Sequence, residues 1–274
     1  IGNCPPEIRV VAICDCHTPR TAETLEPRKR FASILASFVN RDAPSCRTFQ
    51  DYRQLLDEMK LDAVMIATPD HHHILPAILA CQAGLDVYLE KPLSLTIPEG
   101  RLLVQAVRRY GRVLQVGSQQ RSMEINRFGC DFIRNGGLGK LSHVRLPNYP
   151  GPMVYPKLPQ EPVPQGLEWD LFCGPTPTRP HNRRLWVKDE FRVDGVLWRG
   201  WDLWFDYSGH LATNWGAHSV DMVQLALGTV DTGPVEIWPI TDGYNGEKRF
   251  CPVGMRYANG VELRFDISLK DRNR

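Results

Sequence analysis

Short apolar runs alternate with segments of helical hydrophobic spacing over the first 120 residues of the chain. The runs are rich in valine, isoleucine and leucine, which is typical of strands buried on both faces of a parallel sheet. This pattern predicts strands at 7–16, 61–69, 85–92 and 112–117. Strands that alternate with helices indicate a doubly wound α/β domain with a parallel sheet.

The helices between these strands are marked by residues that favour helix ends. Asp51 and Thr96 stand where a side chain can cap the start of a helix, and Gly84 and Gly111 stand where a helix can end. The pattern predicts helices at 21–39, 51–59, 72–84 and 96–111.

The pattern changes after residue 120. A predicted helix at 122–135 and a predicted strand at 141–149 precede residues 150–180, which are rich in proline and lack a long periodic segment. A loop of that length is usually functional or lies in a subunit contact. A further helix is predicted at 214–227, and strands at 234–241, 251–258 and 260–269. We therefore predict two domains, a doubly wound domain at 1–120 and an α+β domain at 121–274 with a mostly antiparallel open sheet.

Composition narrows the classes of partner. Of 274 residues, 42% are hydrophobic and 23% charged, and the formal net charge is only +2, which gives no support for a nucleic-acid partner or a membrane surface. No apolar run approaches the ~20 residues of a membrane span. The eight scattered cysteines are predicted to be free thiols in a reducing compartment. We expect a cytoplasmic protein, with an exported form left open because the chain begins at Ile1 rather than methionine.

The first predicted strand ends at Asp15. In a Rossmann-type domain, an acid about 20 residues after a Gly-rich turn accepts hydrogen bonds from the adenosine ribose and disfavours a 2′-phosphate. This interpretation favours NAD over NADP, and the alternative is an ordinary capping aspartate. No Gly-rich turn precedes Asp15, so we expect about 30 residues upstream that supply the first strand and turn. The alternative is a different fold that starts here, and truncation at the C-terminal end is left open.

The segment ATPDHHH at 67–73 lies where the second of these strands, at 61–69, gives way to a helix. Ligands bind at the carboxyl ends of strands in such sheets, so we place Thr68, His71 and His73 near the cleft. Consecutive histidines diverge around the start of a helix and have no histidine four residues on, so we predict no metal site.

Glu90, Lys91 and Pro92 hold the equivalent place after the next strand. Adjacent residues of a strand face opposite ways, so Glu90 and Lys91 are not simply paired with each other. Pro92 restricts Lys91 to extended geometry, and a cis bond between them is one expectation. A lysine held in a cleft can exchange a proton with a substrate hydroxyl. The alternative is a solvated lysine at the end of a strand.

The segment TNWGAHSVD places Asn214, His218 and Asp221 on one face of a helix. We expect Asp221 to brace His218, which would then hydrogen-bond a substrate hydroxyl beside Lys91. The alternative, a histidine packed between domains, stays open.

Six of the seven tryptophans fall between residues 169 and 215, at positions 169, 186, 198, 201, 204 and 215. Aromatic side chains so clustered line an interface or a ligand with an apolar face, such as a sugar ring, although some of them are expected in the core.

The segments VVAICD, ATPDHHH, LEKPLSLT, VLQVGSQQR, EWDLFCGPTP and NWGAHSVD occur in this order along the chain. Together they resemble the glucose–fructose oxidoreductase, inositol dehydrogenase and rhizopine-catabolism family (Gfo/Idh/MocA). The resemblance implies a Rossmann domain followed by an α/β domain whose open sheet often mediates oligomers. It also implies hydride transfer between NAD(P) and a sugar or cyclitol carbon.

The resemblance assigns roles to residues of this chain. It implies Lys91 as the catalytic lysine and His218 as the substrate histidine, with Asn214 beside them. Many relatives carry aspartate at the position of Asn214, so more of the acid–base work falls to Lys91. The residues expected at the cofactor are Asp15, Thr68, Pro69, His71, His73, Glu90, Lys91 and Gln119. Those expected at the substrate are Arg121, Trp169, Trp201 and His218.

The predicted function is therefore an NAD-dependent oxidoreductase that acts on a sugar, a sugar derivative or a polyol, with NADP as the less favoured cofactor. One alternative is an NAD-dependent glycosidase that cleaves its substrate through a transient keto-sugar and regenerates the cofactor in each turnover. Another is a non-catalytic nucleotide-binding protein. The expected partners are a small carbohydrate and further copies of the chain, as a dimer or tetramer, with no nucleic acid and no membrane.

Overall fold

The computed structural model describes residues 4–27, 29–147, 149–154, 157–186, 190–193, 196–240 and 252–267, without the side chains of 29–30, 190–193 and 196–199. Residues 1–3 and 268–274, and positions 148 and 251 of predicted strands, lie outside the described residues, as does the side chain of Trp198.

Parallel strands form the sheet of the first half, as predicted. Strand β1 (Ala12–Cys14) pairs with β2 (Arg47–Phe49), and β4 (Asp86–Leu89) pairs with both β3 (Ala63–Ile66) and β5 (Leu114–Val116). Strand β2 is not predicted from the sequence because only one of its three residues, Phe49, is apolar, so no apolar run marks it.

Among the described residues, β1 and β3 do not pair with each other, so the parallel strands form a sheet of two and a sheet of three. The break between them falls where the order 3-2-1-4-5-6 places its first strand. The expectation of an upstream strand stays a prediction.

Five helices accompany these strands: α1 (Thr18–Leu25), α2 (Lys29–Arg41), α3 (Tyr52–Glu58), α4 (Ile74–Gln82) and α5 (Ile97–Tyr110). The single helix predicted at 21–39 is wrong, because α1 ends before Pro27, whose ring removes the backbone donor that a continuous helix needs. Asp51 caps α3, as predicted, and accepts a hydrogen bond from the backbone N–H of Arg53. Thr96 and Glu99 form a capping box at α5, which ends at left-handed Gly111.

Helices α4 and α5 pack against the three-stranded sheet. The fully buried residues there are apolar side chains from both layers, among them Ala77, Leu89 and Leu103. Burial of these apolar side chains stabilises the packing of the helices on the sheet, in which the carboxyl ends of β3, β4 and β5 lie at one edge.

The second half contains α6 (Glu124–Arg134), β6 (His143–Pro147), α7 (Trp169–Cys173), β7 (Glu190–Val193), β8 (Val196–Arg199), α8 (His210–Leu227), β9 (Glu236–Pro239), β10 (Val253–Arg256) and β11 (Glu262–Ile267). Its main sheet has the order β6-β11-β10-β9, in which β10 is antiparallel to both neighbours and β11 is parallel to β6. The sheet is therefore mixed, with antiparallel pairs in the majority.

Helix α8 starts at His210, one turn before the predicted position, and covers one face of this sheet. Val223 of α8 packs with Tyr257 and Leu263, which are buried at the sheet. None of the described helices has the length and apolar character that a bilayer crossing requires.

The proline-rich segment connects the two halves. Leu167 forms a β-bridge with His17, and the backbone N–H of Glu168 donates to the carbonyl of Cys16. The side chain of Gln50 also donates to the carbonyl of Gly166 at 2.9 Å. A buried cluster that contains Trp169, Phe172, Leu185, Leu203, Trp204 and Tyr207 orders the rest of the segment. The long loop is thus a contact between domains within one chain.

Candidate active site

Polar residues follow several parallel strands at the same edge of the sheets. Asp15 follows β1, Thr68 comes shortly after β3, Glu90 and Lys91 follow β4, and Gly117 follows β5. Because the carboxyl ends of parallel strands share an edge, Thr68, Glu90, Lys91 and Gly117 form one rim of the three-stranded sheet, and Asp15 ends β1 of the two-stranded sheet. Helix α8 of the second domain lies against it.

Lys91 meets α8 directly. Its Nζ donates a hydrogen bond to Oδ1 of Asn214 at 3.0 Å, and both side chains are partly buried. The Lys91–Pro92 bond is cis, as expected from the sequence. The alternative of a solvated lysine is therefore wrong, since the amine is held by a residue of the other domain.

Glu90 lies beneath this lysine. Its carboxylate accepts a hydrogen bond from the backbone N–H of Lys91 at 3.2 Å. A Cβ placed on Gly117 would stand 3.1 Å from the same carboxylate, so a larger residue there would require the Glu90 side chain to shift by a few tenths of an ångström.

His218 lies one helical turn after Asn214, on the same face of α8. Its ring meets the ring of Trp215 edge-on, with 6.0 Å between centroids. Burial lowers the pKa of His218, and the charge of Lys91 lowers it further, while the charges of Asp221 and Glu90 act in the opposite direction. A neutral imidazole beside the lysine can hold a hydroxyl group by either of its nitrogen atoms.

The predicted support of His218 by Asp221 is wrong. Both carboxylate oxygens of Asp221 are bound by the guanidinium of Arg121, at 2.8 Å and 2.6 Å. This bidentate ion pair joins the 3₁₀ turn Gln119–Ser122 to α8 and places Arg121 next to the candidate site. Gln119, in the same turn, is exposed.

His73 and His71 are protein contacts, not exposed cleft residues. The ring nitrogens of His73 lie 2.7 Å from the carbonyl oxygen of Pro92 and 2.8 Å from that of Thr68. His73 is buried and ties together the segments after β3 and β4, so its predicted cofactor contact is corrected to support of the lysine segment.

His71 is also buried, with Nε2 at 2.8 Å from the carbonyl oxygen of Phe172 and its ring against Tyr207. Burial lowers the pKa of His71 to about 4. The cofactor role predicted for His71 is therefore corrected to packing between the two domains.

The tryptophans separate into core and surface. Trp169 is 8% exposed, stacks on Phe172 and donates to the carbonyl of Arg179, so its predicted place at the substrate is corrected to the core. Trp201 is partly buried against the same cluster. Trp215 is 52% exposed beside His218.

The residues at the rim fit a dinucleotide. Asp15 is partly exposed, and one of its carboxylate oxygens accepts a hydrogen bond from the backbone N–H of His17 at 2.9 Å. This bond fixes the orientation of the carboxylate. The hydroxyl of Thr68 is occupied by the carbonyl of His72, which fixes the turn that Pro69 begins. The acidic acceptor at β1 and the close approach of Gly117 to Glu90 suit a ribose and a nicotinamide at this edge. The Gly-rich turn is not part of the given chain.

Two residues beneath the site escape sequence reasoning. Asp70 is buried and accepts a hydrogen bond from Ser208 at 2.7 Å. Its place in ATPDHHH is a signal that could have identified it, whereas Ser208 stands in no recognisable motif.

Two family models match the chain in order. An oxidoreductase family model with an NAD-binding Rossmann fold matches residues 3–118, and a model of the C-terminal alpha/beta domain of an oxidoreductase family matches residues 153–274. Together they account for most of the chain.

Individual relatives match over part of their length. The levoglucosan dehydrogenase of Pseudarthrobacter phenanthrenivorans is 32% identical over 95 residues, which cover 35% of this chain and 24% of that protein. The uncharacterized oxidoreductase YdgJ of Escherichia coli is 31% identical over 226 residues, which cover 79% of this chain and 55% of that protein.

The fold has solved counterparts. The WlbA dehydrogenase of Bordetella pertussis, crystallised with NADH and UDP-GlcNAcA, superposes with a TM-score of 0.57 at 20% identity over 95% of this chain and 59% of that one. With both domain models matched in sequence order and the same fold in a solved dehydrogenase, this protein belongs to the Gfo/Idh/MocA family of oxidoreductases.

Proposed function

We propose that this chain carries the reaction centre of an NAD-dependent oxidoreductase that transfers hydride between nicotinamide and a carbon of a sugar, sugar derivative or polyol. The observation that supports the proposal is the 3.0 Å hydrogen bond between Lys91 Nζ and Asn214 Oδ1 at the carboxyl edge of the sheet. It brings an acid–base group of one domain to a polar helix face of the other.

The cofactor is proposed to lie along the rim. Asp15 would accept the adenosine ribose hydroxyls, and Thr68, Pro69, Glu90 and Gln119 would border the rest of the dinucleotide. Bound NAD supplies the carbon that accepts or returns hydride.

Lys91 is proposed to move the hydroxyl proton. As a neutral amine it takes the proton of a substrate hydroxyl during oxidation, and as an ammonium group it returns the proton during reduction. Asn214 orients the amine through its carbonyl oxygen and cannot itself take the proton. His218 would hold a neighbouring hydroxyl, which fixes the reacting carbon relative to Lys91.

The substrate class follows from the groups around this centre. Arg121 and Trp215 lie beside it with a guanidinium group and an aromatic ring, a combination that suits polar rings with an apolar face. A substrate contact of Trp201 stays a prediction. Levoglucosan dehydrogenase is a carbohydrate enzyme by name, which makes anhydrosugars a first choice for testing. The domain limits at residue 120 and assembly into a dimer or tetramer stay predictions.

The test follows nicotinamide absorbance while the full-length protein receives polyols, free sugars, anhydrosugars and glycosides, with products assayed in parallel. We expect steady accumulation of NADH with one class. We expect Lys91→Ala to lower kcat by about 10²–10⁴-fold, whereas Lys140→Ala, at an exposed position, leaves it unchanged. Retained turnover in Lys91→Ala contradicts the assignment. Consumption of substrate without net NADH supports the glycosidase instead.

A further inference from the structure

Asp70 is a buried carboxylate that the proposed chemistry does not use. It follows β3 in a short 3₁₀ turn, Asp70–His72, and its side chain is 3% exposed. Burial of an unpaired carboxylate costs several kcal/mol, so a carboxylate at this position requires specific partners.

Its partner belongs to the other domain. The hydroxyl of Ser208, which is 1% exposed, donates to Oδ2 of Asp70 at 2.7 Å. The same hydroxyl accepts a hydrogen bond at 2.9 Å from the backbone N–H of His210, the first residue of α8. Ser208 therefore uses both its donor and its acceptor to connect Asp70 with the start of this helix.

The backbone reinforces this connection. The N–H of His71 donates to the carbonyl of Tyr207 at 3.2 Å, next to the side-chain contact. His210 has a φ of 55°, a conformation that a non-glycine residue holds only when its surroundings fix it. Neighbouring hydrogen bonds thus connect the segment before α8 with the turn that follows β3.

The pKa of the Asp70 carboxyl responds to burial and to groups of the site. Burial raises the pKa of Asp70, and the hydrogen bond from Ser208 and the charges of His73 and Lys91 act to lower it. Asp70 therefore interacts with Lys91 electrostatically and with the start of α8 through the hydrogen bonds of Ser208.

We propose that Asp70 is a positioning residue that, through Ser208, holds Asn214 and His218 of α8 in register with Lys91. This inference rests on the proposed function. Asn214 lies one helical turn after His210, so a small displacement of the start of α8 moves the carbonyl that orients the lysine amine. A misplacement of about 1 Å can lower a rate by about 10²-fold.

Turnover of the full-length enzyme tests this proposal. We expect Asp70→Ala and Ser208→Ala each to lower kcat by about 10–100-fold while the Kd for NADH, measured by nucleotide fluorescence, changes by less than about threefold. The double variant should lose no more than either single variant, because both remove one connection. Asp70→Asn should recover part of the loss, because its amide oxygen still accepts from Ser208.

The matched control lies at the other end of the helix. Thr229→Ala removes a side-chain hydrogen bond to Gln224 at the C-terminal end of α8 without touching the first domain. We expect this variant to keep wild-type kcat. Equal losses of kcat in Thr229→Ala and Ser208→Ala would indicate general destabilisation of the helix and overturn the proposal.

A second readout needs no turnover. Competitive acetylation, followed by mass spectrometry, measures the reactivity of Lys91 relative to exposed Lys140. We expect Asp70→Ala, Ser208→Ala and the reference variant Asn214→Ala all to raise the relative labelling of Lys91 several-fold, because the amine loses its hydrogen bond to Asn214. Unchanged labelling in both variants overturns the positioning role. Failure of every substrate to react contradicts the proposed function and leaves this measurement valid.

Discussion

Lys91 is bound by a neutral amide, which sets how its charge is compensated. The Oδ1 atom of Asn214 accepts a hydrogen bond from the amine at 3.0 Å but contributes no negative charge. Charged groups that act on this region include Glu90, Asp70 and Asp221, which is paired with Arg121. The hydrogen-bond partner of the lysine amine therefore adds no charge to the site.

The variant Asn214→Asp tests this consequence. A carboxylate in contact with the amine stabilises the ammonium form, so we expect the kcat/KM profile for substrate oxidation to move to higher pH and the rate at neutral pH to fall. Asn135→Asp adds the same charge at an exposed position and should leave the profile unchanged. A profile identical to that of the wild type would show that Asn214 does not contact Lys91 during turnover.

The sequence predicts some site residues better than others for a physical reason. Lys91, Asn214 and His218 follow from strand ends and helix spacing, which are local rules. The contacts of His71 and Asp221 are made with residues distant in sequence. His71 contacts Phe172, 101 positions away, and Asp221 binds Arg121, 100 positions away. The position of Trp169 is equally hard to predict, because the sequence does not distinguish a tryptophan in the core from one that contacts a ligand. No local pattern encodes such contacts.

At the scale of elements, helices with specific end signals and strands with an apolar run are predictable, and other short strands are not. Helices α3 and α5 start at their predicted caps, and α5 ends at Gly111. Strand β2 has one apolar residue and no apolar run, and the hairpin of β7 with β8 is missing from the predictions although Asp194-Gly195 stands between its strands. Strands of this length are stable only when they pair with a neighbouring strand, and the sequence alone does not identify that neighbour.

The capping box of α5 provides a test at this scale. Thr96→Ala removes an acceptor for the backbone N–H of Glu99 and should lower the free energy of unfolding by about 1 kcal/mol. Thr24→Ala, inside α1, loses a hydrogen bond to the carbonyl of Arg20 that caps no helix, and we expect a smaller change. Urea unfolding measures both variants, and equal effects would mean that the cap adds nothing.

At the scale of the whole molecule, buried histidines at the contact between the halves make stability depend on pH. Burial lowers the pKa of both His71 and His72 from 6.5 to about 4. Between these values the unfolded chain binds more protons than the folded chain, so stability is lost as pH falls from about 6.5 towards 4, by up to about 3 kcal/mol per histidine. Asp70, with a raised pKa, acts in the opposite sense.

Urea midpoints at pH 7 and pH 5 measure this dependence. We expect His71→Gln, which keeps a donor for the carbonyl of Phe172, to reduce the difference between the two midpoints because it removes one of the titrating groups. His143→Gln, on the exposed face of the main sheet, should leave the difference as in the wild type. A difference that His71→Gln does not change would place the pH dependence elsewhere.

The hydrogen bond between Lys91 and Asn214 joins positions 123 residues apart. Closing a loop of this length carries an entropic cost, which grows slowly with the number of residues in the loop. During biosynthesis, a nascent chain that has released only its first 120 residues holds the lysine without its partner. The contact between Lys91 and Asn214 is therefore completed only after the segment that forms α8 has been synthesised.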